Sequence, residues 1–140
     1  MTNDERERFA QVARVDDVEM LSDERGSLFE PVPDDELGQG RIFHVHLVEC
    51  KPGQTRANHV HRAQTEVLCV VGGRFRVVVR DLSSGEQAEC VFDASEPVKI
   101  TMLPGVAHAF ENVGDSDAHI LGYSDRRFDA SDIEPCAVIT

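Results

Sequence analysis

From Asp17 onward the apolar residues come in short runs rich in Val, Ile and Phe, each closed by turn chemistry. Runs of this kind are Val18–Leu21, Ser27–Glu30, Arg41–Cys50, Glu66–Val71, Arg74–Arg80, Gln87–Phe92, Val98–Met102, Ala107–Asn112 and His119–Tyr123. Gly26, Pro31 to Pro33, Pro52-Gly53, Gly72-Gly73, Ser84-Gly85, Pro97, Pro104-Gly105 and Gly114 separate them. Polar and apolar positions alternate most cleanly over Ile42 to Leu47 and Arg74 to Val77, the period-2 signature of half-buried strands. Many short strands punctuated every ~8–12 residues predict an all-β sandwich or barrel. Gly72-Gly73 suits a tight hairpin turn, and Leu82 to Gly85 a longer one. Only residues 1–15 carry helical spacing, with Phe9, Val12 and Ala13 beside a charged face. A short N-terminal helix or arm over 1–15, then a single domain over 16–140, is the organisation expected.

Composition and charge narrow the function. A chain of 140 residues fits one domain. The net charge of −12, with no Lys/Arg-rich block, argues against a nucleic-acid partner. No apolar run exceeds five residues, which excludes a membrane-spanning helix. The opening MTNDERERF has no apolar segment of the secretory kind, so a cytoplasmic protein is expected. Cys50, Cys69, Cys90 and Cys136 are isolated, with no CxxC pair for a zinc ribbon or redox motif, and read as reduced, mostly buried thiols.

The informative stretch runs from Gly53 to Gly73. On a strand, residues two apart share a face, so His59 and His61 point together, and a return strand brings back Glu66. A later segment, Pro104 to Asn112, adds His108. Three imidazoles and a carboxylate make a first shell for a divalent ion such as Zn, Fe, Mn or Ni, with positions left for water or substrate. The spacing G-x5-HxH-x4-E-x6-G, followed by PG-x2-H-x3-N, resembles the two motifs of the cupin superfamily. That resemblance covers roughly Gly38 to Tyr123. It implies a cupin double-stranded β-helix, or jelly-roll barrel, with His59, His61, Glu66 and His108 as metal ligands. Val98 stands where the second motif has glycine.

Three further segments resemble a narrower group. Ser22 to Glu30 (SDERGSLFE) is similar to the DxRGxFxE opening of nucleotide-sugar 3,5-epimerases and 3,4-ketoisomerases. Thr55 to His59 is similar to their RGxH segment, with Ala57 replacing glycine, and Gly122 to Asp132 to their closing tail. The order Gly38-Gln39, Thr55 to His61, Glu66 and Phe128-Asp129 also resembles the cupin domain that ends bifunctional capsular-polysaccharide epimerase/reductases. There a lysine precedes the glutamate by two residues, where this chain has Gln64.

The resemblance implies a nucleotide-sugar epimerase or keto-isomerase serving polysaccharide or deoxysugar synthesis. In a 4-keto sugar the carbonyl acidifies the neighbouring C–H, so a base and an enolate-stabilising group suffice. It would make His59 the base and Tyr123 the proton donor on the opposite face, with Arg25 and Arg56 holding the diphosphate. A histidine bound to metal is a poor base, so His59 fills one role or the other; His44 and His46, alternating on the preceding strand, are further candidates for the proton and the substrate. Two other classes fit the same site: a metal-dependent cupin dioxygenase or oxidoreductase, and a non-catalytic sugar-binding cupin. A homodimer is expected, formed by an N-terminal strand covering a neighbour's open sheet edge.

Overall fold

The computed structural model describes residues 2–140. The first element is a helix, α1 (Asn3–Ala10), opened by a reciprocal cap: Thr2 Oγ1 accepts from the Glu5 amide and Glu5 Oε2 accepts from the Thr2 amide. Eight residues would not hold a helix alone in water. Phe9 anchors it, fully buried, with its ring edge-on to Phe92 at 5.1 Å.

Strands follow in the order β1 (Arg14–Asp17), β2 (Met20–Asp23) and β3 (Gly26–Phe29), then a single helical turn, α2 (Asp34–Leu37). The barrel strands come next: β4 (His44–Cys50), β5 (Thr55–His61), β6 (Glu66–Gly72), β7 (Arg74–Asp81), β8 (Gln87–Asp93), β9 (Val98–Met102), β10 (Val106–Asn112) and β11 (Ala118–Ser124). A 3-10 turn over Ala130–Asp132 leads into β12 (Ile133–Pro135).

Two five-stranded antiparallel sheets face each other as a jelly roll, in the orders β1-β9-β6-β11-β4 and β12-β5-β10-β7-β8. The expected all-β jelly roll with a short N-terminal helix is the observed one. Inward residues of both sheets form one core, with Phe75, Phe92, Phe110, Ile100 and Met102 almost fully buried. Leu68, Phe110 and Ile120 belong to this core and also line the cavity that holds the histidines.

Several expectations are revised. The 1–15 arm is not separate from the domain: Phe9 and Ala13 lie in the core, and β1, which begins at Arg14, pairs with β9. Gly72-Gly73 does not close a hairpin, because β6 and β7 belong to different sheets. It is a corner, in which Gly73 takes a φ of +77° and a Cβ there would lie 2.5 Å from the Ala118 Cβ. The longer turn after β7 is a hairpin, with Arg80 opposite Gln87. The β2–β3 hairpin forms a two-stranded sheet of its own, leaving Leu21 and Leu28 about 60% exposed. Among the described residues, no helix is long and apolar enough to cross a membrane.

Candidate active site

His59 and His61 come from β5, His108 from β10 and Glu66 from β6, so one sheet supplies the imidazoles and the other the carboxylate. One potential donor atom from each lies within 4.8 Å of the other three. His61, Glu66 and His108 are buried and His59 nearly so. The three rings sit 4.8 to 6.0 Å apart, centre to centre.

The orientation of each group is fixed by its neighbours. His108 Nδ1 donates to the Val106 carbonyl at 3.0 Å, which turns its Nε2 toward Glu66 Oε1 at 3.6 Å. Glu66 Oε2 accepts from the buried Gln64 amide at 2.9 Å. His61 Nδ1 faces Asp132 Oδ2 at 3.6 Å. Asp132 itself accepts from the backbone amides of Ala63 and Gln64, pinning the turn between β5 and β6.

Electrostatics favour the neutral form of His59 and His61. Burial, then the nearby charges of His108 and His61, push His59 down to about 4. Burial likewise lowers His61. For Glu66 burial acts upward, but contact with His108 and the charges of His108 and His61 outweigh it and hold the carboxyl low. Neutral imidazoles beside an ionised carboxylate are the forms that bind a cation. His59 Nε2 and His108 Nε2 are buried without any hydrogen-bond partner, as a ligand nitrogen is before its ion is counted. The donor set therefore fits a divalent metal.

His59, His61 and Glu66 of the cluster line a cavity of about 580 Å³. His44 and His46 line its opposite wall, on β4 of the facing sheet, with ring centres 5.4 Å apart. His46 fits because Gly122 has no side chain: a Cβ there would lie 2.5 Å from the ring. Phe128, at the cavity, approaches the His44 ring to 6.0 Å. Arg56 also lines the cavity, its guanidinium donating from Nε and Nη2 to the Glu49 carbonyl at 3.0 and 2.8 Å.

Two expected site residues are not brought there. Tyr123 projects from the outer face of its sheet, because Ile120 and Gly122 take the inward positions and strand parity sends Tyr123 the other way. Its hydroxyl donates to Glu36 Oε1 at 2.9 Å and accepts from Lys99 Nζ at 3.4 Å; burial and that carboxylate raise its pKa. Arg25 sits on the turn of the β2–β3 hairpin, 85% exposed and paired with Asp23 at 2.6 Å. The sequence reading missed Asp132 as the partner of His61 and Gly122 as the seat of His46. Both lie in the tail segment noted for its resemblance; parity counting from Ile120 could have placed Gly122, while Asp132, in a 3-10 turn, carried no such signal.

Known proteins show the same architecture. The family described as "Polysaccharide biosynthesis C-terminal domain" matches residues 21–135. The chain is 31% identical over 124 residues to the UDP-2-acetamido-2,6-beta-L-arabino-hexul-4-ose reductase of Pseudomonas aeruginosa. That match covers 87% of this chain but 32% of the relative, so the chain spans about a third of that protein's length. The capsular polysaccharide assembling protein CapF of Staphylococcus aureus superposes with a TM-score of 0.65 at 28% identity, over 86% of this chain and 34% of that one. ChmJ, a 3'-monoepimerase from Streptomyces bikiniensis solved in complex with dTDP-quinovose, has a TM-score of 0.77 at 18% identity, over 89% and 69%. At that identity the likeness to ChmJ concerns the fold.

Proposed function

The chain belongs to the polysaccharide biosynthesis C-terminal domain family of cupins, and on that premise we propose that it is a nucleotide-sugar epimerase or keto-isomerase acting on a 4-keto hexose. The observation that carries this reading is the pairing of a three-histidine, one-carboxylate cluster with two further imidazoles across a cavity of about 580 Å³. Relatives bearing this fold are named for nucleotide-sugar reduction and epimerisation. The cytoplasm is the compartment where such a substrate is met.

His59, His61, Glu66 and His108 would hold a divalent ion, Zn, Fe, Mn or Ni. Bound there, the ion supplies Lewis-acid stabilisation of the negative charge that develops on the sugar's carbonyl oxygen. His46, on the cavity wall, is the base placed to take the C3 proton. His59 and His46 come from facing sheets, so a hexose between them meets an imidazole on each face. With His59 committed to the ion, His46 would take the proton and return it on the same face, to C4 for a keto-isomerase; for an epimerase a water admitted to the cavity would return a proton to C3 from the opposite face. Arg56 is the cation available to a diphosphate at the cavity once it exchanges the Glu49 carbonyl for phosphate oxygens.

We further propose a homodimer in which the β2–β3 hairpin, with exposed Leu21 and Leu28, covers the β4 edge of a second copy. A 15.5 kDa particle by light scattering would refute it.

The test is solvent deuterium. Incubated in D₂O with UDP- or dTDP-linked 4-keto hexoses, the protein should place deuterium at C3 or C5, and its absence from every one overturns the assignment. Elemental analysis should show metal in the native chain and its loss in His108→Ala. The same donor set suits oxygen chemistry on iron, and oxygen consumption after anaerobic iron loading would move the assignment there.

A further inference from the structure

Two consecutive non-glycine residues, Ala57 and Asn58, hold left-handed backbone with φ of +69° and +53°. They lie in the middle of β5, immediately before His59. Left-handed residues in the body of a strand are strained, and the position they occupy explains what the strain does. On β10, Phe110 stands opposite Arg56 and His108 opposite His59, while Ala109 alone faces the Ala57–Asn58 pair. This is a β-bulge, in which two residues of one strand oppose one residue of its partner.

The bulge resets parity. Arg56 and His59 are three apart in sequence and would face opposite sides of a regular strand, yet both line the cavity. With a regular strand, an inward Arg56 would turn His59 and His61 outward together. The extra residue lets the arginine and both histidines share the inner face.

What holds the bulge is the end of the chain. Asn58 Nδ2 donates to the Ile139 carbonyl at 2.8 Å, and Asn58 Oδ1 accepts from the Val138 and Ile139 amides at 2.9 and 3.0 Å. The Asn58 carbonyl accepts from the Cys136 amide at 2.9 Å. Ile139 is buried against Val78 and Ala109, which fixes this segment to the outer face of the sheet.

We propose that Asn58 is a positioning residue, and that residues 136–139 act through it to keep Arg56, His59 and His61 on one face of β5. The segment thus shapes the site from the reverse side of the sheet without touching the cavity. Its functional meaning rests on the reading of that cavity given above, but its structural content does not.

The experiment compares the full chain with Asn58→Ala, Ile139→Ala and the double variant Ala57→Gly/Asn58→Ala, each checked for fold by circular dichroism. Imidazole nitrogen shifts of His59 and His61, read by NMR on metal-free protein, should move in both single variants while His119 stays in place. Co²⁺ affinity should fall at least tenfold, and its d–d spectrum should change. Glycine at 57 relieves the left-handed backbone, so the double variant should recover part of the loss. Unchanged His59 and His61 shifts in folded Asn58→Ala and Ile139→Ala overturn the proposal, as do equal shifts at His119. A native chain that binds no Co²⁺ refutes the metal reading alone, since the imidazole shifts still report on the bulge.

Discussion

Acid should destabilise the metal-free protein through His59, and the size of the effect follows from its surroundings. The ring is held neutral, with a folded-state pKa of about 4 against an ordinary 6.5. Between those values the unfolded chain carries a proton that the folded chain does not, so stability falls as pH drops through 6.5 and levels off below 4. Integrated from pH 7 to pH 5 and reduced for solvent screening of the part-exposed ring, this single group removes about 1–2 kcal/mol. His61, lowered in the same direction, adds to the loss. Glu66 stays outside this window, since its lowered pKa matters only below the ordinary 4.5. Urea unfolding of the chelator-treated protein at the two pH values is the assay, and a loss of that size lowers the midpoint by about 1 M. His59→Gln should lose most of this pH dependence. A midpoint that holds or rises on acidification, or a His59→Gln variant with the full native slope, would refute the reasoning.

Two other substitutions probe contacts that only the structure reveals. Gly122→Ala places a methyl 2.5 Å from the His46 ring and 3.0 Å from Leu68 Cδ2. Overpacking of this kind costs about 1–3 kcal/mol, and deuterium incorporation should fall at least tenfold as His46 is displaced; unchanged exchange removes His46 from the mechanism. Phe9→Ala should lower stability by about 3–5 kcal/mol by urea unfolding, whereas a loss below about 1 kcal/mol would make residues 1–15 a detachable arm after all.

The four clustered residues were legible because their side chains are chemically distinctive and their spacing spans one strand, its return and a later strand. The all-β class was legible for a similar reason, since period-2 alternation and Gly/Pro breaks are local signals. The role assigned to Tyr123 failed on parity: a tail motif says which residue is present, and only the count from Ile120 and Gly122 says which face it takes. β1 escaped notice because Arg14, Asp16 and Asp17 give it no apolar run, and pairing with β9 alone makes it a strand. The corner at Gly73 looked like a hairpin because a glycine pair signals a sharp reversal without saying which sheet the next strand joins. Asn58 carried a faint signal, since asparagine tolerates left-handed backbone. Its partners at 138 and 139 lie some eighty residues away, beyond any local reading.

The donors of the cluster are shared between the two halves of the sandwich, and this has a mechanical consequence. An occupant that grips both halves works as a removable rivet between the two sheets, whereas the packing of Phe9 on Phe92 is permanent. Its contribution scales with the logarithm of its free concentration over its dissociation constant. Removal of such an occupant would therefore loosen the contact between the two sheets at the cluster before the body of the domain.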